Sequence, residues 1–333
     1  MGSISVLDCT LRDGGYVNNW SFGRKAISGI INGLETSGVN ILELGFLRNE
    51  PFNPDKTAFS TIESVNQLIP QKKEGVIYSA MIEAFNPYDL NNLSPKIPEG
   101  VDLIRVCIWK RLMKEHFEYC EQVKLKGYPI SIQPSRVEQY NKDEFLELIR
   151  RTNDIQPFSF YIVDTWGTQS SSQIQRYAEL AEKYLDKNIR IGYHGHNNKM
   201  QALSCAEKFL SMGLTHDLCV DASLRGMGRG AGNLCTEVIM DYLNEVYNGQ
   251  YNITRAVDTY RDFVDPIYQQ FPWGYSLYYY LASAAGVNPN FPTYFSEKKY
   301  PIELFERFLG SLSEQEKIVF SPAFVEGRIY TLK

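Results

Sequence analysis

Two charged residues follow the first apolar run of the chain, in the segment LDCTLRDGGY at residues 7–16. Arg12 and Asp13 precede Gly14 and Gly15, which lack side chains and so let a substrate approach the backbone closely. If the pair lies at a plain strand end, it is a surface ion pair. At the mouth of a barrel, the same pair offers a fixed cation and a metal-ligating carboxylate.

The downstream histidines favour the chemical interpretation. His194 and His196 stand two residues apart in RIGYHGHNN. Strand side chains at i and i+2 share one face, so both imidazoles can converge on one ion. Asp13 is the best candidate for a third ligand. Two histidines and one carboxylate leave coordination positions open for substrate and water, which is typical of a catalytic site.

This ligand set suits Mn²⁺ first in our expectation, and Mg²⁺, Co²⁺ or Zn²⁺ as alternatives. It also occurs in non-haem iron oxygenases, but Arg12 argues against that class. A guanidinium beside the ion suits an enolate intermediate, because it stabilises the charge that develops on a polarised keto oxygen. Glu43, in the apolar run ILELGF, is predicted to orient Arg12 by a bidentate hydrogen bond. The alternative for Glu43 is a solvated acid at a strand end.

The elements that must position these residues alternate along the chain up to about residue 250. Strands are predicted at 4–10, 41–45, 75–82, 101–109, 129–134, 159–164, 190–196 and 218–223, and helices at 24–37, 57–68, 141–152, 173–185 and 201–212. Helical crossovers imply parallel strands. Eight such units in about 250 residues predict an α/β fold, a (β/α)8 TIM barrel. An open doubly wound sheet is less favoured, because its glycine fingerprint is missing after the first strand.

We therefore predict a metal-binding domain of TIM-barrel type over residues 1–250, and a helical C-terminal extension over residues 251–333 that packs on the barrel. The formal charge of −5 gives no reason to expect nucleic acid. No apolar run is long enough for a membrane span, and the six cysteines contain no C-x-x-C pair and are expected to be free thiols. A cytoplasmic protein with small-molecule partners is expected.

Four motifs together resemble one superfamily: TLRDGG, the Glu of the second strand, HGHNN and DASLRGMGRGAGN. They resemble the DRE-TIM metallolyases, which are similar to HMG-CoA lyase, and most of all their 4-hydroxy-2-oxovalerate aldolase branch. The resemblance implies that Asp13, His194 and His196 bind the divalent cation, with Asn233 on or near it. It implies that Arg12 stabilises a pyruvate-type enolate.

The resemblance also implies a tyrosine of the C-terminal segment, Tyr275 or Tyr278, that faces the substrate. A 2-oxo acid and an aldehyde are the implied small molecules. A homo-oligomer or an aldehyde dehydrogenase partner is also compatible with it.

The chain departs from this family at one position. A histidine three residues after the metal-binding aspartate is the general base of the aldolase, and Tyr16 stands there in this chain. A phenol titrates far above neutral pH, so it is a poor substitute. Neither His116 nor His216 is expected to replace the base, and Tyr16 or a water would handle the proton.

The leading prediction is a metal-dependent carbon–carbon lyase or aldolase that works through a 2-oxo acid enolate. One alternative is a Claisen-type acyl-CoA transferase similar to isopropylmalate synthase. Those enzymes usually carry an acidic residue and a glutamine after RDG, where this chain has Gly15, Tyr16 and Val17. A second alternative is a metal-binding barrel that is catalytically altered.

Overall fold

The computed structural model describes residues 2–83 and 88–332, and the side chains of these residues except Glu83. The strands are β1 Ile4–Asp8, β2 Ile41–Leu47, β3 Ala58–Phe59, β4 Ile77–Glu83, β5 Leu103–Ile108, β6 Ile130–Pro134, β7 Ser159–Asp164, β8 Arg190–Gly195 and β9 Leu218–Ala222. The helices of the first 250 residues are α1 Gly15–Asn18, α2 Arg24–Ser37, α3 Ile62–Asn66, α4 Met113–Leu125, α5 Lys142–Ile155, α6 Ser171–Tyr184, α7 Ala202–Leu210 and α8 Thr236–Tyr247. The later helices are α9 Ile253–Thr259, α10 Asp265–Gln270, α11 Leu277–Ala285, α12 Asn290–Glu297, α13 Ile302–Gly310 and α14 Pro322–Leu332.

Eight of the strands close into a parallel barrel. The sheet runs β1-β9-β8-β7-β6-β5-β4-β2, and β1 also pairs with β2, which closes the cylinder. All eight strands predicted from the sequence overlap an observed strand, and the predicted TIM barrel is confirmed. The C-terminal ends of the strands form the mouth, where barrels of this kind carry their active sites.

The helix predicted over 57–68 is wrong in its first half. Thr57 starts an extended segment that includes β3, which runs parallel to β2. The Thr57 carbonyl accepts from the Phe46 amide at 2.8 Å, and a side chain at Gly45 would lie 2.2 Å from that carbonyl oxygen. Gly45 therefore permits the close approach that makes this segment extended. Helix α3 begins only after Thr61, whose side chain caps it by accepting from the Ser64 amide.

Successive side chains along each strand point alternately to the outer and the inner surface of the barrel wall. One set of side chains packs against the surrounding helices, as Val6, Leu42 and Ile104 do in the main hydrophobic core. The other set points into the barrel. It includes a small apolar cluster around Leu7 and Tyr161, together with charged residues that the next subsection describes. The barrel interior is therefore the place where polar side chains are buried and fixed.

The chain after residue 250 is helical, as predicted, and it contains a hydrophobic cluster of its own. Phe291, Phe295, Phe305 and Phe308 form the centre of this cluster, and each is fully buried. The placement of the boundary at 250/251 stays a prediction. The six cysteines are free, as expected. Across residues 2–83 and 88–332, none of the helices combines the length and the apolar character that a bilayer crossing requires.

Four hydrogen bonds join this helical region to the loops of the barrel mouth, one of them from the Arg225 guanidinium to the Tyr260 hydroxyl. Trp273 Nε1 donates to the Arg225 carbonyl at 3.1 Å, and the Arg229 guanidinium donates to Asn290 Oδ1 at 2.6 Å. The Ser283 hydroxyl donates to the Gly167 carbonyl. These loops follow β9 and β7, so the helical region is anchored on the side of the barrel where the candidate site lies.

Asp8 fixes the loop that carries Arg12 and Asp13. It ends β1 and is 2% exposed. One carboxylate oxygen accepts from the Thr10 amide at 2.8 Å, and the other accepts from the Thr236 hydroxyl at 2.5 Å. Burial raises the pKa of Asp8 to about 6, against the opposing effect of these hydrogen bonds. The protonated form is therefore favoured by folding, and its contribution to stability is lost as the pH rises through about 6.

Replacing Asp8 with Asn removes this ionisation while it keeps the shape of the side chain. Relative to wild type, Asp8→Asn should gain stability between pH 4 and pH 7.5, on the order of 2 kcal/mol, because only the wild-type side chain becomes charged there. Urea unfolding at a series of pH values measures this difference. Asp241→Asn on the exposed face of α8 is the control, and parallel pH profiles for Asp8→Asn and wild type would contradict the interpretation.

Candidate active site

Asp13, His194 and His196 come together at the barrel mouth. Each offers one ligand atom, and these atoms lie within 4.8 Å of one another. The three residues are 2%, 5% and 7% exposed. His194 lies in β8 and His196 directly follows that strand, so the i, i+2 spacing places both on the inner face. Asp13 follows β1 in a tight turn, in which its amide donates to the Cys9 carbonyl at 2.8 Å.

The hydrogen bonds of the two imidazoles leave the same nitrogen available on each ring. Nδ1 of His194 lies 3.0 Å from Asp221 Oδ2, and Nδ1 of His196 lies 3.1 Å from the Arg229 carbonyl oxygen. Both partners are acceptors, so each Nδ1 carries the proton and each Nε2 can bind an ion. Burial lowers the pKa of His196 to about 4, although Asp13 opposes this shift. A neutral ring is the form that a metal requires.

The Asp13 carboxylate is held in its ionised form. Burial alone would raise its pKa, but the positive charge of Arg12 and the two nearby imidazoles lower it below the usual range. Oδ1 lies 2.5 Å from Arg12 Nη1, and Oδ2 accepts from Asn233 Nδ2 at 2.8 Å. The Arg229 amide also donates to Oδ2, at 3.3 Å. A buried anion thus stands beside the two imidazoles.

Asn233 brings an oxygen that has no partner. Its Nδ2 donates to Asp13 and, at 3.1 Å, to the Met227 carbonyl, which fixes the orientation of the amide. Its Oδ1 is buried, and within residues 2–83 and 88–332 it has no hydrogen-bond partner. A buried acceptor in this condition calls for a partner such as a bound ion or a water. The donor set of nitrogen and oxygen atoms without thiolate therefore fits a divalent cation such as Mn²⁺, Mg²⁺, Co²⁺ or Zn²⁺.

Glu43 contacts Arg12 as predicted, but the predicted bidentate geometry is wrong. Only Oε2 of Glu43 accepts from Arg12, at Nε and 2.6 Å. Oε1 faces Nη1 of Arg105 at 2.9 Å. The second nitrogen of Arg12 is taken by Asp13, so each partner of Arg12 receives one contact. The solvated alternative for Glu43 is also wrong, because this residue is 2% exposed.

Sequence reasoning missed Arg105 and Asp221, which complete this network. Nη2 of Arg105 donates to Asp221 Oδ2, and that same oxygen faces His194. Carboxylates raise the pKa of Arg12 and of Arg105 even though burial opposes this, so both guanidinium groups stay charged. The signal was present in the sequence: LIRVCI and LCVDA each place one charged residue inside a buried strand.

The three predicted tyrosines are placed differently. Tyr16 is 39% exposed and packs edge-on against Trp20. The guanidinium carbon of Arg229 lies 5.5 Å from the centre of the Tyr16 ring. The backbone of Arg229 contacts Asp13 and His196. Tyr275 is 53% exposed in the loop before α11. The Tyr278 hydroxyl donates to the Tyr300 carbonyl inside the C-terminal region. The structure therefore brings Tyr16 near the cluster, and no described contact joins Tyr275 or Tyr278 to it.

The remaining histidines and Asp164 have other partners. His116 in α4 accepts from the Trp109 amide at 2.9 Å, and His216 is fully buried with Nδ1 against the Ile189 carbonyl. Asp164 accepts from the amides of Thr168 and Gln169, and so it orders the loop after β7. Burial, together with the charge of Glu138, raises the pKa of Asp164 to about 7.

Comparisons with known proteins confirm the family resemblance. Residues 107–262 match the HMGL-like family. An oxaloacetate decarboxylase of Mycobacterium tuberculosis is 25% identical over 243 residues, which is 71% of this chain and 68% of the relative. A 4-hydroxy-2-oxovalerate aldolase of Thermomicrobium roseum is 25% identical over 277 residues, 80% of this chain and 75% of that enzyme. These relatives confirm the prediction of an enzyme of the carbon–carbon lyase class.

The fold has a near counterpart among solved structures. The N-terminal domain of a candidate aldolase from Bacteroides vulgatus superposes with a TM-score of 0.79. The sequences are 24% identical, and the alignment covers 91% of this chain and 99% of that one. The likeness supports the barrel with its helical C-terminal region.

Gly228 tests whether the loop after β9 holds the cation ligands in place. A Cβ at this position would lie 2.3 Å from Asn233 Nδ2 and 2.6 Å from Asp13 Oδ2. Gly228→Ala should displace one of these side chains and weaken Mn²⁺ binding by at least about 10-fold, as loss of a supporting contact at a metal commonly does. Titration of free Mn²⁺ by electron paramagnetic resonance measures the affinity. Gly310→Ala, where the added carbon meets open space, is the control, and equal affinities for both variants would refute the idea.

Proposed function

We propose that this chain, which carries an HMGL-like domain, is a divalent-metal-dependent lyase that makes or breaks a carbon–carbon bond next to a 2-oxo acid. The proposed route passes through a pyruvate-type enolate. One observation carries the proposal: the Arg12 guanidinium lies against Asp13, whose carboxylate is grouped with His194 and His196. A bound cation would supply Lewis-acid polarisation of the keto oxygen.

In this proposal Asp13, His194 and His196 hold the ion, and the unpartnered Oδ1 of Asn233 completes the protein ligands. Arg12 stabilises the enolate oxygen. Its Nε and Nη1 are taken by Glu43 and Asp13, and for Nη2 the described part of the chain shows no hydrogen-bond partner. Nη2 is therefore the atom that we assign to the substrate. Because Glu43 and Asp13 fix the guanidinium before the reaction, no reorganisation is needed when negative charge develops.

The histidines of the chain decide which bond cleavage the site supports best. There are four: two belong to the cation cluster, His116 accepts from a backbone amide, and His216 is fully buried. Aldol cleavage requires a base to remove the proton of the 4-hydroxyl group. None of the four imidazoles is placed for this, so the proton would pass to Tyr16 or to water.

Because none of the four histidines is placed to act as a base, decarboxylation is favoured as a second candidate activity. When a 3-carboxy-2-oxo acid such as oxaloacetate loses its carboxylate, the C3–C4 bonding electrons move into the enolate and carbon dioxide leaves. No proton is removed in this step, and one proton is then added at C3 to give pyruvate. Tyr16 or water needs only to deliver that proton. The Mycobacterium tuberculosis relative is named for this activity.

Replacing Arg12 with Lys tests the assignment of the enolate. Arg12→Lys keeps a positive charge but cannot contact Glu43, Asp13 and substrate in one plane. We expect kcat for oxaloacetate decarboxylation or aldol cleavage to fall about 10²- to 10³-fold with Mn²⁺ saturating. Arg48→Lys, at a partly exposed arginine after β2, is the control. Full activity in Arg12→Lys, or no metal-dependent turnover of any 2-oxo acid by wild type, would contradict the proposal and favour the acyl-CoA transferase or the altered binding barrel.

Aldol cleavage and decarboxylation should respond differently when residue 16 is replaced by a base. Tyr16→His supplies an imidazole, so it should raise aldol cleavage of 4-hydroxy-2-oxovalerate by about 10-fold or more and change oxaloacetate decarboxylation little. Pyruvate release from each substrate, measured with coupled lactate dehydrogenase, compares them. Tyr16→Phe is the control for loss of the hydroxyl alone. Efficient wild-type aldol cleavage that Tyr16→His does not improve would show that the missing base is supplied elsewhere.

A further inference from the structure

We infer that Arg105 is a positioning residue that couples the cation site to Arg12. It lies in the middle of β5, on the inner face of the barrel, and is fully buried. Its planar guanidinium faces two carboxylates from two other strands, Glu43 in β2 and Asp221 in β9. The kinetic part of this inference rests on the proposed function, whereas the metal-binding part stands without it.

Each of these two carboxylates contacts both Arg105 and one functional side chain: Glu43 contacts Arg12, and Asp221 contacts His194. Glu43 faces Arg105 with Oε1 at 2.9 Å and accepts from Arg12 Nε with Oε2 at 2.6 Å. Asp221 uses one oxygen, Oδ2, for both Arg105 and Nδ1 of His194. Arg12 and His194 are thus joined through a continuous path of charged groups, with Arg105 at its centre.

Arg105 is itself held in one orientation. Its Nη2 also donates to Gln133 Oε1 at 3.1 Å, and its guanidinium carbon lies 4.8 Å from the centre of the Tyr161 ring. Gln133 is further fixed by its hydrogen bond to Ser131 at 2.8 Å. A guanidinium whose plane packs on a ring, and whose Nη2 bonds both Gln133 and Asp221, has little freedom to follow a carboxylate that moves. Arg105 therefore fixes the positions of the Glu43 and Asp221 carboxylates.

This arrangement requires an arginine at residue 105 and not merely a positive charge. The guanidinium presents several donors in a rigid plane, so it can bind two separate carboxylates at fixed positions. A lysine ammonium is a single point charge and would be drawn to one of them. Without Arg105, Glu43 and Asp221 would be left as two buried anions, with Arg12 beside Glu43 and the Nδ1–H of His194 beside Asp221 as their remaining partners.

Five variants separate the two branches of this path. Asp221→Asn should weaken Mn²⁺ binding about 10- to 100-fold, the usual effect of losing the partner of a ligating histidine. Glu43→Gln should leave Mn²⁺ affinity within about 3-fold of wild type and lower kcat at saturating metal about 10-fold or more. Arg105→Met should show both defects. Arg105→Lys keeps the charge, so it should keep more of the thermal stability than Arg105→Met and still bind Mn²⁺ weakly.

The fifth variant, Arg190→Met, is the matched control. Arg190 begins β8, the strand that carries His194, and it packs on Phe158 at the other end of the barrel. It should alter the melting temperature without changing Mn²⁺ affinity or kcat. Mn²⁺ affinity is read by electron paramagnetic resonance, kcat with the best 2-oxo acid substrate, and folding by circular dichroism.

The double variant Arg105→Met with Asp221→Asn provides the decisive comparison. Residues that act through one path are not additive, so its Mn²⁺ affinity should match that of Arg105→Met within about 3-fold. Additive losses, or wild-type Mn²⁺ affinity in a folded Arg105→Met or Arg105→Lys protein, would overturn the inference. If Arg105→Met does not fold, the Lys variant decides by the same criterion. If no 2-oxo acid is turned over, the proposed function fails while Mn²⁺ affinity still decides the role of Arg105.

Discussion

The burial of five charged side chains inside one barrel is the constraint on which the rest of the structure depends. Arg12 and Arg105 carry two positive charges, and Asp13, Glu43 and Asp221 carry three negative ones, each at most 5% exposed. Charges removed from water are costly unless each has close, well-oriented partners. The network supplies close partners of opposite charge by alternating sign from one side chain to the next, although Arg105 Nε and Asp221 Oδ1 have no hydrogen-bond partner among residues 2–83 and 88–332. One negative charge remains in excess, next to the imidazoles, where a divalent cation would more than offset it.

The backbone around this network is shaped to let the charges meet. Asp13 reaches His194 and His196 because the turn after β1 bends back within five residues, with the amides of Arg12 and Asp13 both donating to the Cys9 carbonyl. The loop after β9 must cross directly over Asp13 and Asn233, and Gly228 leaves room for that crossing. A parallel barrel brings the ends of distant strands to one mouth. Residues separated by about 180 positions in the sequence therefore become neighbours through topology.

The barrel and the cation cluster were predictable because their signals are local and periodic. Alternating strands and helices identify the fold, and the spacing of His194 and His196 has a simple geometric consequence. Arg105 and Asp221 were less visible, since a single charge in an apolar strand can face solvent, a helix or the barrel interior. Only the assembled barrel shows that both face inward. The first half of the predicted 57–68 helix failed for a related reason, because the partner of Thr57 is β2 and lies outside the segment itself.

The helical region after residue 250 supports the loops of the barrel mouth through its hydrogen bonds to them. Its bonds to Arg225, Arg229 and Gly167 all end on loops of the mouth. Arg229 is the informative one, because its backbone contacts Asp13 and His196 while its side chain reaches Asn290 and covers Tyr16. A shift of the helical region would pull on the residue whose backbone supports two candidate ligands. The geometry of the cation site is therefore tied to the packing of a region that supplies none of its ligands.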